Sequence, residues 1–286
     1  MHTSTIVTFA AGSVVEEATV LRVQADGVGA VVVLDRTPFH PVDHTWPDQP
    51  GDSGVLRLGD VDLPVSEAVM AAVSDAGEFA LGTGIPAKRG TEGWAWLVGH
   101  PVTAVPEGFV EGARIEAVVD VGRRAALSRG HTACHLSSLA LDLATADLWR
   151  KDPGVDPLGN PDFEGRAGQS SRIHEDGAID EYRLGKSLRR AGFDAEGFAS
   201  SLPEREARIN EALAGWVASC APGRIVTDGS TIADRRRWEC DLPEGTVSFP
   251  CGGTHAASLR EFASITVTLD LSDPQVLVMA TTAVPA

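Results

Sequence analysis

Four side chains in two short segments could do chemistry together. They are His131 and His135 in Arg129-Gly130-His131-Thr132-Ala133-Cys134-His135-Leu136, and Cys251 and His255 in Pro250-Cys251-Gly252-Gly253-Thr254-His255. Histidines at i and i+4 stand on one helical face one turn apart, so both imidazoles can converge on a single cation. A cysteine and a histidine with three residues between them, two of those glycine, let a tight loop bring a thiolate and an imidazole to one point. Soft sulfur with imidazole favours zinc over magnesium or calcium, which take oxygen ligands. An HxxxH spacing alone is equally a pair of exposed or core histidines. The second segment changes the balance because it crowds glycines, a cysteine and a histidine into five residues after the strand-like Thr246-Val247-Ser248-Phe249. Together the halves read as one divided zinc site with ligands His131, His135, Cys251 and His255.

The elements that must position these residues are an N-terminal β region and a mixed second half. Residues up to about 118 are rich in valine, glycine and proline, with alternation at Ala18-Thr19-Val20-Leu21-Arg22-Val23 and an apolar run at Ala30-Val31-Val32-Val33-Leu34. A compact β-barrel or sandwich is the natural closure. After the strand Ile115-Glu116-Ala117-Val118-Val119-Asp120, helical spacing from Arg124 to about Arg150 marks the helix that carries His131 and His135. Residues 151 to about 172 are proline- and glycine-rich and read as a surface loop without helix. Pro203 to Ala218 is a second helix, opened by proline and acidic in its first turn. Strands follow at Gly223-Arg224-Ile225-Val226-Thr227 and Ser264-Ile265-Thr266-Val267-Thr268-Leu269. The expected fold class is α+β: an N-terminal β-barrel domain over 1–118, then an α+β domain over 119–286 with a helix-plus-sheet zinc site.

Composition narrows the function. At 286 residues and 43% hydrophobic content the chain buries a core without staples. Four cysteines do not make a disulfide framework, and Cys134, Cys220 and Cys240 read as reduced and structural. The segment Met1-His2-Thr3-Ser4-Thr5-Ile6-Val7 lacks a basic stretch followed by an apolar core, and no apolar run approaches the ~20 residues of a spanning helix, so a cytoplasmic protein with no membrane partner is expected. A formal charge of −16 argues against non-specific coating of nucleic acid, and no DNA partner is expected. It leaves room for a local basic patch at Arg235-Arg236-Arg237-Trp238, Arg189-Arg190 or Arg123-Arg124, each of which reads equally as a solvated face paired with acids.

Asp120, Arg124, the His131-to-Leu136 run and Cys251-Gly252-Gly253-Thr254-His255 resemble the free-standing alanyl-tRNA editing proteins, relatives of the editing domain of alanyl-tRNA synthetase. The resemblance extends to the first half through Leu34-Asp35-Arg36-Thr37-Pro38-Phe39-His40-Pro41 and Gln49-Pro50-Gly51-Asp52-Ser53-Gly54, and Ile209-Asn210-Glu211 looks like the family helix that precedes the second half of the metal site. It implies a trans-acting, zinc-dependent aminoacyl-tRNA deacylase for translation quality control, a hydrolase that cleaves the ester of a mischarged tRNA bound by its acceptor end. His131 and His135 would serve catalysis as well as metal binding. Thr37 falls where the family places a threonine near the amino-acid side chain, and it reads equally as a strand residue. Gln49 lines the same pocket or faces water. The chain departs from the family at Asp43-His44-Thr45-Trp46-Pro47-Asp48, where relatives carry glycines; the bulkier loop suits serine or glycine less obviously and opens the option of a threonine-like residue such as fluorothreonine. His40 and His44 read as loop or pocket histidines, because no cysteine or carboxylate cluster completes a ligand set around them.

Two other readings remain open: a zinc-dependent hydrolase of a small ester or amide, which the acidic balance tolerates better, and a non-catalytic interaction module with structural zinc. For the tRNA reading an acidic chain needs a focused arginine surface, with Trp238 as a stacking partner for unpaired bases. The sequence fixes neither the oligomeric state nor the amino acid removed.

Overall fold

The computed structural model describes residues 3–27 and 29–286; Met1 and His2 of the N-terminal segment discussed above lie outside them. The chain forms two compact units. The first comprises residues up to Arg124 with Ile225–Arg236 and Gly252–Thr254, and the second Ala125–Arg224, Arg237–Cys251 and His255–Ala286.

In the first unit β1 (Ile6–Val7) pairs in parallel with β4 (Arg36–Thr37). The main sheet uses β2 (Val15–Asp26), β3 (Gly29–Leu34), β5 (Gly54–Leu58), β6 (Val61–Val65), β7 (Val69–Ser74), β8 (Phe79–Leu81), β9 (Trp94–Val102) and β10 (Arg114–Val119). Its order is β6-β5-β10-β2-β3-β9-β7-β8, with β6 and β8 at the ends. The expected barrel is therefore not closed. β2 serves both halves of the sheet: Val15–Thr19 pair with β10, and after a register shift between Val20 and Arg22 the strand pairs with β3. Such a shift bends a strand and strengthens its twist, and β8, only three residues long, offers the far edge little to close on. The unbroken run Ala30–Leu34 is buried on both faces, Val32 and Leu34 in one apolar cluster and Val31 and Val33 in another. Alternation is lost there because neither face meets water.

The second unit is built on α1 (Val121–Thr145), whose first turn still counts with the first unit. Asp120 caps the helix, its Oδ1 accepting from Arg123 N at 3.1 Å. Contrary to the sequence reading, residues 151–172 include the one-turn helix α2 (Glu164–Ala167) and the start of β11 (Gly168–His174). Asp142 on α1 makes this turn possible by accepting from Phe163 N and Glu164 N, both at 2.9 Å, a tertiary contact that local composition does not announce. β11 forms a hairpin with β12 (Gly177–Arg183), and α3 (Lys186–Ala191), α4 (Ala195–Ser200) and α5 (Leu202–Ser219) follow. Beyond the short β13 (Gly223–Thr227), β14 (Arg236–Leu242) and β15 (Gly245–Pro250) make a second hairpin, and β16 (Phe262–Asp273) pairs with β17 (Val276–Pro285).

The sheet of this unit is antiparallel in the order β11-β12-β17-β16. β16 is an edge, and an uncovered edge would expose unpaired backbone groups. α5 covers it. Asn210 acts as a strand in miniature, its Oδ1 accepting from Val267 N at 2.7 Å and its Nδ2 donating to Val267 O at 3.0 Å, and Glu206 accepts from Leu269 N at 2.7 Å. In the same unit the turn of the β11–β12 hairpin presses on α1 at Gly130, where a Cβ would overlap the carbonyl oxygens of His174 and Gly177. Among the described residues no helix is long and apolar enough to cross a membrane. The four cysteines are all free: Cys134 and Cys240 are buried, while Cys220 lies exposed in the left-handed conformation that ends α5.

Two predictions follow from this packing. Gly130→Ala forces the hairpin off the helix one residue before His131, and thermal unfolding is expected to show a loss of about 1–3 kcal/mol; a midpoint equal to that of the native chain would show that the hairpin is free to shift. Burial raises the carboxyl of Asp142 to about 8 and that of Glu164, whose Oε2 has no hydrogen-bond partner, to about 7. The folded chain therefore holds protons that the unfolded chain releases near pH 4, and the stability this contributes is present below about pH 4 and lost as pH rises to about 8. Glu164→Gln should flatten the fall in unfolding midpoint between pH 5 and pH 8, and an unchanged pH profile in that variant would contradict the assignment.

Candidate metal centre

The helix period carries His131 and His135 to the same side of α1, and the loop after β15 brings Cys251 and His255 to them. One potential ligand atom from each of the four residues lies within 4.8 Å of every other, so the group can hold a metal ion. It is the one such group among the described residues. The arrangement is three plus one. Cys251 Sγ stands 3.4 Å from His131 Nε2 and 3.3 Å from His255 Nε2. His135 Nε2 makes no such contact; it is buried and has no hydrogen-bond partner. A buried imidazole nitrogen without a partner costs on the order of 1–3 kcal/mol, and a bound cation would remove that cost.

Aromatic packing fixes the rings. His135 stacks on Phe249 (centroids 4.8 Å apart, 6° between planes) and on Trp238 (5.4 Å, 16°), and His255 lies 5.0 Å from Trp238. Burial lowers His135 to about 4, so at neutral pH its ring is uncharged, the form that a metal takes. Trp238 is fully buried beneath the imidazoles. Its expected role as a stacking surface for bases is thereby corrected: the indole is spent on orienting ligands.

Thr132, between the two helix histidines, ties the halves together. Its Oγ1 accepts from Ala256 N at 3.0 Å and lies 3.3 Å from His255 Nδ1. With the proton on Nδ1 pointing to that oxygen, His255 Nε2 is left with its lone pair on the side of Cys251. The motif HTACH contains this residue, but nothing in its spacing distinguishes Thr132 from a passive helix threonine.

Thr37 and Gln49 lie in the first unit. Gln49 does not face water: it is 1% exposed, and both ends of its amide bind Thr254, Oε1 accepting from Thr254 N at 3.0 Å and Nε2 donating to Thr254 Oγ1 at 2.8 Å. It thus fixes the residue that immediately precedes His255. Thr37 is fully buried. His100 Nδ1 is 2.9 Å from Val32 O, and burial lowers this histidine to about 4. Nδ1 therefore carries the proton, and the bare Nε2 accepts from Thr37 Oγ1 at 2.9 Å. Thr37 Oγ1 also accepts from Phe39 N at 3.1 Å. The hydroxyl proton is committed to the scaffold, leaving one lone pair for a ligand.

Asp120 and Arg124 prove to be structural. Asp120 is the helix cap described above, and Arg124 makes a bidentate buried pair with Asp52 and donates to Pro38 O at 2.7 Å. The loop Asp43–Asp48 is an ordered turn in which Asp43 accepts from Thr45 N, Thr45 Oγ1 and Trp46 N and pairs with Arg89. The His44 side chain is stacked on Trp96, ring centroids 5.3 Å apart, with Nδ1 3.8 Å from Asp43 Oδ1 and neither nitrogen hydrogen-bonded, and His40 is buried against Phe9. The run Arg235–Arg237 is not a patch: Arg236 is buried over the Phe9 ring, and Arg237 pairs with Glu239.

No family model matches the chain, and no curated protein matches it.

Thr132→Val should lower metal affinity about 10- to 100-fold without unfolding the chain. Cobalt(II) titration followed by its thiolate and ligand-field absorption would measure this. An affinity equal to the native value would remove Thr132 from the centre.

Proposed function

We propose that this chain is a zinc-dependent hydrolase that acts in trans on mischarged aminoacyl-tRNA, cleaving the ester between the amino acid and the acceptor end. The observation that carries the reading is the convergence of His131, His135, Cys251 and His255, with the buried His135 Nε2 otherwise unpartnered. The donor set suits zinc. Bonds of about 2.0–2.1 Å to nitrogen and about 2.3 Å to sulfur in a tetrahedron would place a sulfur and a nitrogen about 3.5–3.6 Å apart, and the two sulfur–nitrogen separations of 3.4 and 3.3 Å come close to that edge. Bound zinc supplies a Lewis acid for the ester carbonyl and a water acidic enough to give hydroxide near neutral pH.

The chain's own residues do the rest. His131, Cys251 and His255 are the firm ligands. His135, whose Nε2 stands apart from that trio, would be the fourth ligand, and catalysis would need it to yield its position or the metal to take a fifth partner. Thr132 keeps His255 in the tautomer that presents Nε2, and Gln49 holds the loop through Thr254. Phe249 and Trp238 exclude water from the imidazoles, which strengthens electrostatic interactions there. Thr37, the residue that the resemblance assigns to substrate choice, has its proton committed to His100 and would therefore act as an acceptor toward a substrate hydroxyl. The choice of a threonine-like residue over serine or glycine rests on the resemblance to the editing proteins, the bulkier Asp43–Asp48 loop standing where those proteins carry glycines.

Metal removal separates this reading from a structural site. Chelation should abolish deacylation while unfolding stays cooperative; loss of the cooperative transition would make the metal structural. His135→Ala is expected to reduce turnover by at least a hundredfold across a panel of aminoacyl-tRNAs that includes threonine and its analogues. Full activity in a metal-free chain would end the zinc mechanism. A turnover rate that is flat with ionic strength would favour a small ester or amide over tRNA.

A further inference from the structure

Six cations gather on one surface of the second unit. α3 carries Lys186, Arg189 and Arg190 at i, i+3 and i+4, hence on one face, while Leu188 is buried. Arg183 ends β12 just before this helix, its side chain folded against Gly185. After α3 the chain meets the segment that follows α1: Arg150 N donates to Gly192 O at 2.9 Å, and Lys151 Nζ donates to Arg190 O at 3.1 Å. Arg150, Lys151, Arg183, Lys186, Arg189 and Arg190 are all exposed. Two of the three lysines in the chain stand here.

What sets this surface apart is the number of cations without a carboxylate that one short helix and its flanking segments bring together. With 40 acids against 24 cations, many arginines elsewhere meet carboxylates, as in Arg36–Glu16, Arg57–Asp62 and Arg224–Asp241, while other described ones, Arg22, Arg114, Arg172 and Arg260 among them, form no ion pair. On this surface Arg150 meets Asp194 at 2.7 Å. Among the described residues Arg183, Lys186, Arg189 and Arg190 form no ion pair. In a chain with acid in excess, four neighbouring cations without a carboxylate hold a positive potential that an external anion can use.

We propose that this surface binds the phosphodiester backbone of an RNA duplex, namely the acceptor arm of the substrate. The proposal rests on the deacylase reading for the identity of the RNA. Leu184, Leu188 and Phe193 are buried, so the surface has neither the apolar centre of a protein interface nor the apolar face of a membrane-surface helix. Binding through phosphates needs neither. The distance also fits. From His135 the helix α1 runs ten residues further to Thr145, roughly 15 Å at about 1.5 Å per residue, and Arg150 and Lys151 follow shortly after its end. That helical length is about four stacked nucleotides at about 3.4 Å each, so a single-stranded acceptor end with its ester at the metal centre would bring the start of the duplex toward the cations.

The test is the affinity of the full chain for a deacylated tRNA, measured by fluorescence anisotropy over a salt series. The triple variant Lys186→Glu, Arg189→Glu, Arg190→Glu should bind at least about tenfold more weakly at 100 mM salt, and its log–log salt slope should be smaller by about 2, since each phosphate contact contributes about 0.7–0.9. Its cobalt titration and unfolding midpoint should match the native chain. The milder pair Lys151→Gln, Arg183→Gln should shift the slope by about 1.5 and serves if the triple variant misfolds. Native affinity and slope in both variants would overturn the proposal, as would binding to phosphatidylserine vesicles through these cations where tRNA does not bind. The outcomes separate this proposal from the reading it rests on. Patch-dependent tRNA binding without ester cleavage would leave this surface and remove the deacylase; cleavage indifferent to the reversals would do the opposite.

Discussion

The hydroxyl of Thr132 joins two segments that the chain separates by more than a hundred residues. Taking Ala256 N–H and standing beside His255 Nδ1, it sets the loop of Cys251 and His255 against the face of α1. The geometry of the centre depends on that junction, because a ligand atom displaced by an ångström no longer shares a tetrahedron with the others. The site is also costly without an occupant: His135 Nε2 is buried with no partner. A group that is unfavourable when empty and satisfied when filled couples occupancy to stability.

Much of the second unit serves to hold α1 rigid around these histidines. The β11–β12 turn contacts the helix at a glycine because only a missing Cβ lets two carbonyls approach so closely. On the far side of the sheet Asn210 and Glu206 of α5 satisfy the open edge of β16. In the first unit the buried Asp52–Arg124 pair fixes the start of the same helix. Removing one partner from such a pair costs about 3–5 kcal/mol, since the other charge is left desolvated.

Charge is distributed with the same economy. Acids outnumber cations, and arginines with structural duties are turned inward or paired. The densest run in the sequence, Arg235–Arg237, is divided between a buried guanidinium and a surface ion pair, whereas the less conspicuous Arg189–Arg190 stands among unpaired cations contributed by three separate segments. Density along a sequence and density on a surface are different quantities.

The ligand spacings and the two long helices were legible in the sequence, because HxxxH, CxxxH and apolar periodicity are set by local geometry: helix pitch, loop reach and the face that must be buried. α1 at Val121–Thr145 and α5 at Leu202–Ser219 lie close to their expected spans. Tertiary structure alone decided the rest. The sheet of the first unit stays open because β2 bends through a register shift and its end strands do not meet. The one-turn α2 forms because Asp142, on a different element, accepts its first backbone N–H groups. Trp238 lies beneath the imidazoles, Gln49 grips Thr254, and the proton of Thr37 belongs to His100. Each of these depends on which distant group occupies the neighbouring space, and a linear sequence specifies that only through the whole fold.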